Sequence, residues 1–254
     1  MKEPKKFLTY EQQIELLKSK KLYIGSTPKA INFLKQHSYY SLISGYKDIF
    51  KIEKNGNYRP DASFEFITTL YLFDDILRLI FLENLIKIEK HIKSLYSYAF
   101  CELYGDEQAA YLNVNNYNYI VKNQNSINEY ISIVNNLLKH PQKFPNINYN
   151  IQNYGSVPLW VLLPSLTFGN ISKLYSFSKQ KLQSKIAREF KEIYSDDLSD
   201  ILNVLTKFRN VCAHGERLYN YKTQKSLPDL PIHKHIRGEY NLAKIDLFNV
   251  CICF

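Results

Sequence analysis

The 254-residue chain is 45% hydrophobic and 22% charged, a globular composition that excludes an intrinsically disordered protein. Its 8 glycines and 9 prolines are too few for an all-β architecture rich in tight turns, and no stretch has the roughly 18 apolar residues that a membrane helix needs. The net charge of +9 is concentrated in residues 1–60 and 172–254 and would attract a polyanion such as nucleic acid, although a lysine-rich surface alone also explains it.

The N-terminus and the cysteines indicate a cytoplasmic protein. The first six residues are basic but no apolar stretch follows them, which argues against a secretory signal. The four cysteines are Cys101, Cys212, Cys251 and Cys253, and no CxxC motif is present. We therefore expect buried thiols in a reducing compartment, and no metal site.

The pattern is helical nearly everywhere, and no segment alternates with the period of a strand. A capping box that begins at Thr9 predicts a helix to Leu17, and Thr27 with the following proline predicts a second helix to His37. Residues 39–46 are expected to form a short helix broken at Gly45, and residues 54–60 a turn. We expect residues 1–60 to form a basic helical segment packed as one unit with a helical domain at 61–254.

The strongest helical segment covers residues 63–104 and stops at Gly105. Apolar residues recur there at spacings of three and four, from Leu85 to Leu103. Two pairs on other faces, Glu83 with Lys87 and Glu89 with Lys93, have the favourable i,i+4 order. The sequence leaves open a break near Asp74 and Asp75.

The second half is predicted as short helices joined by loops. The predicted helices are 126–140, 158–166 with a kink at Pro164, 171–177, 179–190, and 195–214 stopped by Gly215. Residues 106–125 and 141–156 are expected to be irregular, 168–170 a turn, and the tail after Leu227 a loop. A last helix is expected to start at Asp246, and the C-terminus looks cut short.

The chemistry-bearing segment lies at the end of the 195–214 helix. An α-helix rotates by 100° per residue, so Asn210 and His214 share one face of it. Arg209 and His214 share a face only if the last turn of the helix loosens near Gly215. A histidine can transfer protons at neutral pH, and an arginine fork can hold a phosphate. Such a trio suits metal-independent cleavage of RNA by its own 2′-hydroxyl. A helix end capped by histidine and glycine is equally an ordinary C-cap.

Five elements in chain order resemble the Abi-like family of bacterial abortive-infection phage-resistance proteins, of the AbiD/AbiF type. They are FLTYEQQIELLK at 7–18, YYSLISGY at 39–46, FEFITTLYLFDDILRL at 64–79 followed by Ile88-Glu89, VPLW to LY at 157–175, and RNVCAH at 209–214 followed by Arg217 to Asn220. The second element lacks the arginine of the family pattern and carries one extra residue.

This resemblance implies an all-α fold, a HEPN-like helical bundle with additional N-terminal helices. Many HEPN domains are metal-independent ribonucleases with an R-x4–6-H motif, and they usually dimerise so that two motifs face each other. The resemblance thus implies catalytic roles for Arg209 and His214 and a supporting role for Asn210. It assigns Glu89 to orient Arg209 or His214. It also implies substrate contacts, at Arg217, Tyr219 and Asn220.

The leading hypothesis is therefore a cytoplasmic endoribonuclease of anti-phage defence that needs no cofactor and forms a homodimer. Its partners would be a substrate RNA and a restraining RNA or protein antitoxin, with no membrane involved. Two alternatives remain open. The chain could be a non-cleaving RNA-binding module, or a helical scaffold that acts only through dimerisation.

Overall fold

The computed structural model describes residues 6–52 and 56–224, and within them the fold is an all-α bundle, as the sequence predicts. The α-helices are α1 (Tyr10–Ser19), α2 (Thr27–His37), α3 (Phe64–Tyr104), α4 (Gln108–Leu112), α5 (Val121–Lys139), α6 (Pro145–Tyr154), α7 (Leu159–Leu162), α8 (Phe168–Ser176), α9 (Gln180–Ala187) and α10 (Ser195–Ala213). Only isolated bridges of β type occur in this part of the chain. None of these helices is both long and apolar enough to cross a membrane.

The chain divides into two compact units, between Leu79 and Ile80. The division falls inside α3, whereas the sequence places a boundary at residue 60, before that helix. The predicted long helix is confirmed: α3 runs for 41 residues without a break at Asp74. Gly105 ends it in a left-handed conformation, with φ +92°.

The first unit begins with the predicted capping box. The Thr9 hydroxyl accepts from the Gln12 backbone N–H, and the Gln12 side chain accepts from the Thr9 N–H. The expectation of a helix broken at Gly45 is wrong. Residues 39–46 stay helical, with a wide π turn at Tyr40–Ser44, and Gly45 has ordinary helical angles.

A buried polar network joins two sequence elements of the first unit. The Tyr46 hydroxyl donates to Asp74 Oδ2 at 2.6 Å, and Arg78 Nη1 donates to the same oxygen at 2.8 Å. Arg78 Nη2 reaches the exposed Asp75 at 2.8 Å. Burial, followed by the hydrogen bond to Asp74, raises the pKa of Tyr46, so this hydroxyl remains a donor at neutral pH. The network satisfies a carboxylate and a guanidinium that are both withdrawn from water.

Two segments of the second unit that the sequence predicts as irregular are helical. Residues 106–125 contain α4 and the start of α5, which begins five residues before the predicted Ser126. The expected loop at 141–156 contains α6. Pro141 and Pro145 occupy first-turn positions, where proline has no N–H to lose, so they start helical turns instead of only ending one.

The predicted turn at 168–170 is also wrong, since these residues form the first turn of α8. The Thr167 hydroxyl accepts from the Asn170 N–H, and the Asn170 side chain accepts from the Thr167 N–H, which completes a capping box. The predicted kink at Pro164 corresponds to a change from α7 to a 3₁₀ turn at Leu163–Ser165. The tail after Leu227, with the helix expected from Asp246, lies outside the described residues.

The core of the second unit surrounds the C-terminal half of α3. Helix α8 packs on α5 and α10, and α9 packs on α10. An aromatic cluster of Phe100, Tyr117, Tyr130 and Phe177 fills the space beside α3, with ring centroids 5.7–6.0 Å apart. This packing holds α10 and its C-terminal residues against a rigid framework.

Candidate functional site

A buried carboxylate on α3 is the centre of the candidate site. Glu89 is only 8% exposed. Its Oε1 accepts a hydrogen bond from Lys93 Nζ at 2.7 Å, so the i,i+4 pair predicted from the sequence is confirmed. Lys93 Nζ also donates to the Leu166 carbonyl at 2.6 Å. Lys93 is thus held by two acceptors and keeps the carboxylate in place.

Arg209 reaches the same carboxylate from α10. Its Nε lies 3.6 Å from Glu89 Oε2, close enough for an ion pair but without a hydrogen bond. Nε is buried and forms no hydrogen bond with the part of the chain that the structure describes. A guanidinium can donate five hydrogen bonds, so this one retains its capacity for an anion.

A cavity of about 550 Å³ opens beside these three side chains. Its charged lining consists of Lys90, Lys93 and Arg209 against the single carboxylate of Glu89, which makes it cationic. The remaining described lining residues are Ile86, Ser94, Ser97, Trp160, Leu163 and Pro164. The volume suits a small organic ligand or part of a polymer, and the charge favours an anionic one.

His214 lies at the C-terminal cap of α10, where the chain reverses. The Glu216 N–H donates to the Val211 carbonyl at 3.0 Å and the Gly215 N–H to the Cys212 carbonyl at 3.3 Å, which is a Schellman closure. Gly215 supplies the left-handed residue with φ +67°. The imidazole is exposed, and His214 is not among the described residues that line the Arg209 cavity.

The structure therefore brings together Glu89 and Arg209 among the predicted site residues, and it leaves the others on the surrounding surface. Asn210 and Asn220 are exposed, and Arg217 and Tyr219 are half-buried. None of these four lines the cavity within the described part of the chain.

Sequence reasoning did not assign Lys90, Lys93 and Trp160 to the site. In the sequence, the helix pair with Glu89 accounts for Lys93, and Trp160 is only part of an element shared with the family. The described residues contain no group of three or more histidine, cysteine, aspartate or glutamate side chains that could hold a metal ion. Cys251 and Cys253 lie outside the described residues.

The protein is all-α, and its cationic cavity is lined by residues of the long helix α3 and by Arg209 near the end of α10. A family model described as "Abi-like protein" matches residues 32–220, and the chain therefore belongs to the Abi-like family. Every candidate site residue named above falls within that match. The family implies a role in abortive-infection defence against phages. No curated protein and no solved structure matches the chain.

Proposed function

We propose that the protein is a cytoplasmic, metal-independent endoribonuclease of abortive-infection defence and belongs to the HEPN superfamily. The RNA 2′-hydroxyl oxygen attacks the adjacent phosphorus, and the bond from phosphorus to the 5′ oxygen breaks. The products are a 2′,3′-cyclic phosphate and a 5′-hydroxyl. Histidine accepts the proton of the nucleophile or supplies the proton of the leaving oxygen, and Arg209 binds the phosphate.

The observation that carries this proposal concerns the Nε atom of Arg209. Its Nε is buried without a hydrogen bond, and the nearby Glu89 carboxylate remains 3.6 Å away. An arginine in a cationic cavity whose Nε lacks a hydrogen bond is suited to bind a phosphate, which would accept from that Nε. Glu89 acts in this proposal as a positioning residue, and Asn210, Arg217, Tyr219 and Asn220 contact the RNA around the cut.

His214 lies outside the Arg209 cavity, so we propose that two copies of the chain share the reaction site. An apolar face of α3 in the first unit supports such a homodimer. Phe66, Leu72, Phe73, Ile76 and Leu79 are each 44–63% exposed on that face. At about 100 Å² each they expose on the order of 500 Å². That area lies in the upper part of the roughly 300–600 Å² of the largest apolar patch on a typical monomer, a patch that is often functional. A stable interface buries roughly 800 Å² per partner, so neighbouring surface would complete it.

The test is cleavage of single-stranded RNA by the purified chain in a buffer containing a chelator. We expect products that carry 2′,3′-cyclic phosphate, and we expect His214→Ala to lose cleavage and growth arrest together. His140→Ala is the matched control, because His140 is also an exposed histidine at a helix C-cap. Undiminished cleavage by His214→Ala would refute the catalytic assignment.

The position of His214 outside the cavity also favours a second function. In it the chain binds RNA through Arg209 and restrains or senses a partner RNA without cutting it. Purified protein would then carry RNA with intact ends, and the His214→Ala variant would bind that RNA as the parent does. Sequencing the co-purifying RNA and its termini separates the two functions and identifies any antitoxin RNA.

A further inference from the structure

The cationic cavity continues along α3 into a second hollow that the roles assigned above do not use. This second cavity has a volume of about 440 Å³ and shares Ser94, Ser97 and Trp160 with the first. Its other described lining residues are Tyr98, Cys101 and Glu102. From Ile86 to Glu102 the two cavities follow about 24 Å of helix. The joined hollows, here called the α3 groove, are longer than one nucleotide.

Trp160 stands at the junction of the two cavities and is 51% exposed. Its neighbours Leu159 and Leu162 are fully buried, so α7 is anchored while it presents the indole to the groove. Tyr98, 72% exposed, lines the second cavity. Exposed aromatic rings on a rigid backbone are the platforms on which proteins stack unpaired bases.

Cations are placed at one end of the groove. Lys90 is exposed and has no ion-pair partner among the described residues. Arg209 contributes a guanidinium whose buried Nε has no hydrogen bond. Glu89 is offset by Lys93, and Glu102 at the far end forms an ion pair with Lys185. A strand that stacks a base on the indole would therefore meet two available positive charges beside it and no unpaired carboxylate in the described lining.

We propose that the α3 groove binds single-stranded RNA, with one base stacked on Trp160 and the adjoining phosphate held by Lys90 and Arg209. The strand continues toward Tyr98, which accepts a further base. This inference rests on the proposed function for the identity of the ligand as RNA, and it names the side chains that position the strand. A free nucleotide offers the same base and phosphate, but it would fill only part of the groove.

The chain has a single tryptophan, so its intrinsic fluorescence reports on Trp160 alone. The full-length His214→Ala protein, which should not cut its ligand, is titrated with a ten-nucleotide single-stranded RNA. We expect saturable quenching, as stacking predicts. In a separate affinity measurement, Trp160→Ala should weaken RNA binding about 5- to 100-fold, whereas Trp160→Phe should retain most of it. Lys90→Ala should weaken binding and flatten its salt dependence.

The control is Tyr154→Ala, which removes an exposed aromatic ring that does not line either cavity. It should bind RNA as the parent does. Circular dichroism confirms that each variant is folded, and the quenching titration, which leaves Trp160 in place, keeps the test valid if the alanine variant is not. Unchanged RNA affinity in a folded Trp160→Ala variant, absence of quenching by the oligonucleotide, or quenching by a mononucleotide as strong as by the oligonucleotide at equal concentration overturns the inference.

Failure of this inference and failure of the proposed function give different results. If the parent protein cleaves RNA through His214 while Trp160 fluorescence and the Trp160 variants are unaffected, the groove assignment is wrong and the nuclease stands. If RNA quenches Trp160 but no cleavage occurs, the nuclease is wrong and the RNA-binding groove stands.

Discussion

Replacing Asp74 by asparagine tests the buried network of the first unit. The Asp74 side chain is fully buried and Arg78 is 5% exposed, so the substitution leaves a guanidinium in the core without its main counter-ion. Removing one member of a buried ion pair costs about 3–5 kcal/mol. Asp75 still contacts Arg78 at 2.8 Å and asparagine keeps an acceptor, which places the expected loss near the lower limit, about 3 kcal/mol.

The assay is urea unfolding of the full chain, followed by circular dichroism, with the midpoint expected to fall by about 1 M or more. Asp75→Asn is the matched control, since that side chain is 52% exposed and its ion pair should contribute at most about 1 kcal/mol. Equal destabilisation by the two substitutions would refute the reasoning, because burial is the feature that distinguishes the two carboxylates.

Three further substitutions test the site, a cap and the dimer. Glu89→Gln removes the charge that positions Arg209. In steady-state RNA cleavage it should lower kcat about 10-fold, with a smaller change in KM. An effect on KM alone would contradict a positioning role. Thr167→Ala removes the α8 capping box and should cost about 1 kcal/mol in urea unfolding, and an unchanged midpoint would contradict the cap's contribution. Ile76→Asp should convert the dimer into a monomer, as measured by sedimentation velocity. The control Ile120→Asp changes a similarly exposed isoleucine and should leave the dimer intact. Dissociation of the dimer by both substitutions, or by neither, would contradict the α3 interface.

Features that depend on local signals were predictable from the sequence. The capping box at Thr9, the extent of α3, and the ion pairs Glu83–Lys87 and Glu89–Lys93 each depend on residues three or four positions apart. Helix α6 was not predictable in the same way. It is rich in asparagine, a poor helix former, and its formation depends on tertiary packing of Ile147, which is fully buried.

The candidate site shows the same limit at longer range. Glu89 and Arg209 are 120 positions apart, and no periodicity relates them, so only the family resemblance predicts that Glu89 belongs to the site. Trp160 lies in the apolar run LWVLL, where hydrophobicity alone favours a core position. Its exposure is set by the direction of α7 in the folded unit, which local sequence does not encode.

The closure after α10 adds a third requirement to the arginine and histidine motif. Gly215 holds a left-handed angle that costs other L-residues roughly 1–2 kcal/mol, so a bulky residue there would unwind the last turn and displace the imidazole without altering either reactive side chain. A loss-of-function screen should therefore recover changes at position 215 alongside changes at 209 and 214. The motif in this protein is better written with its terminal glycine included.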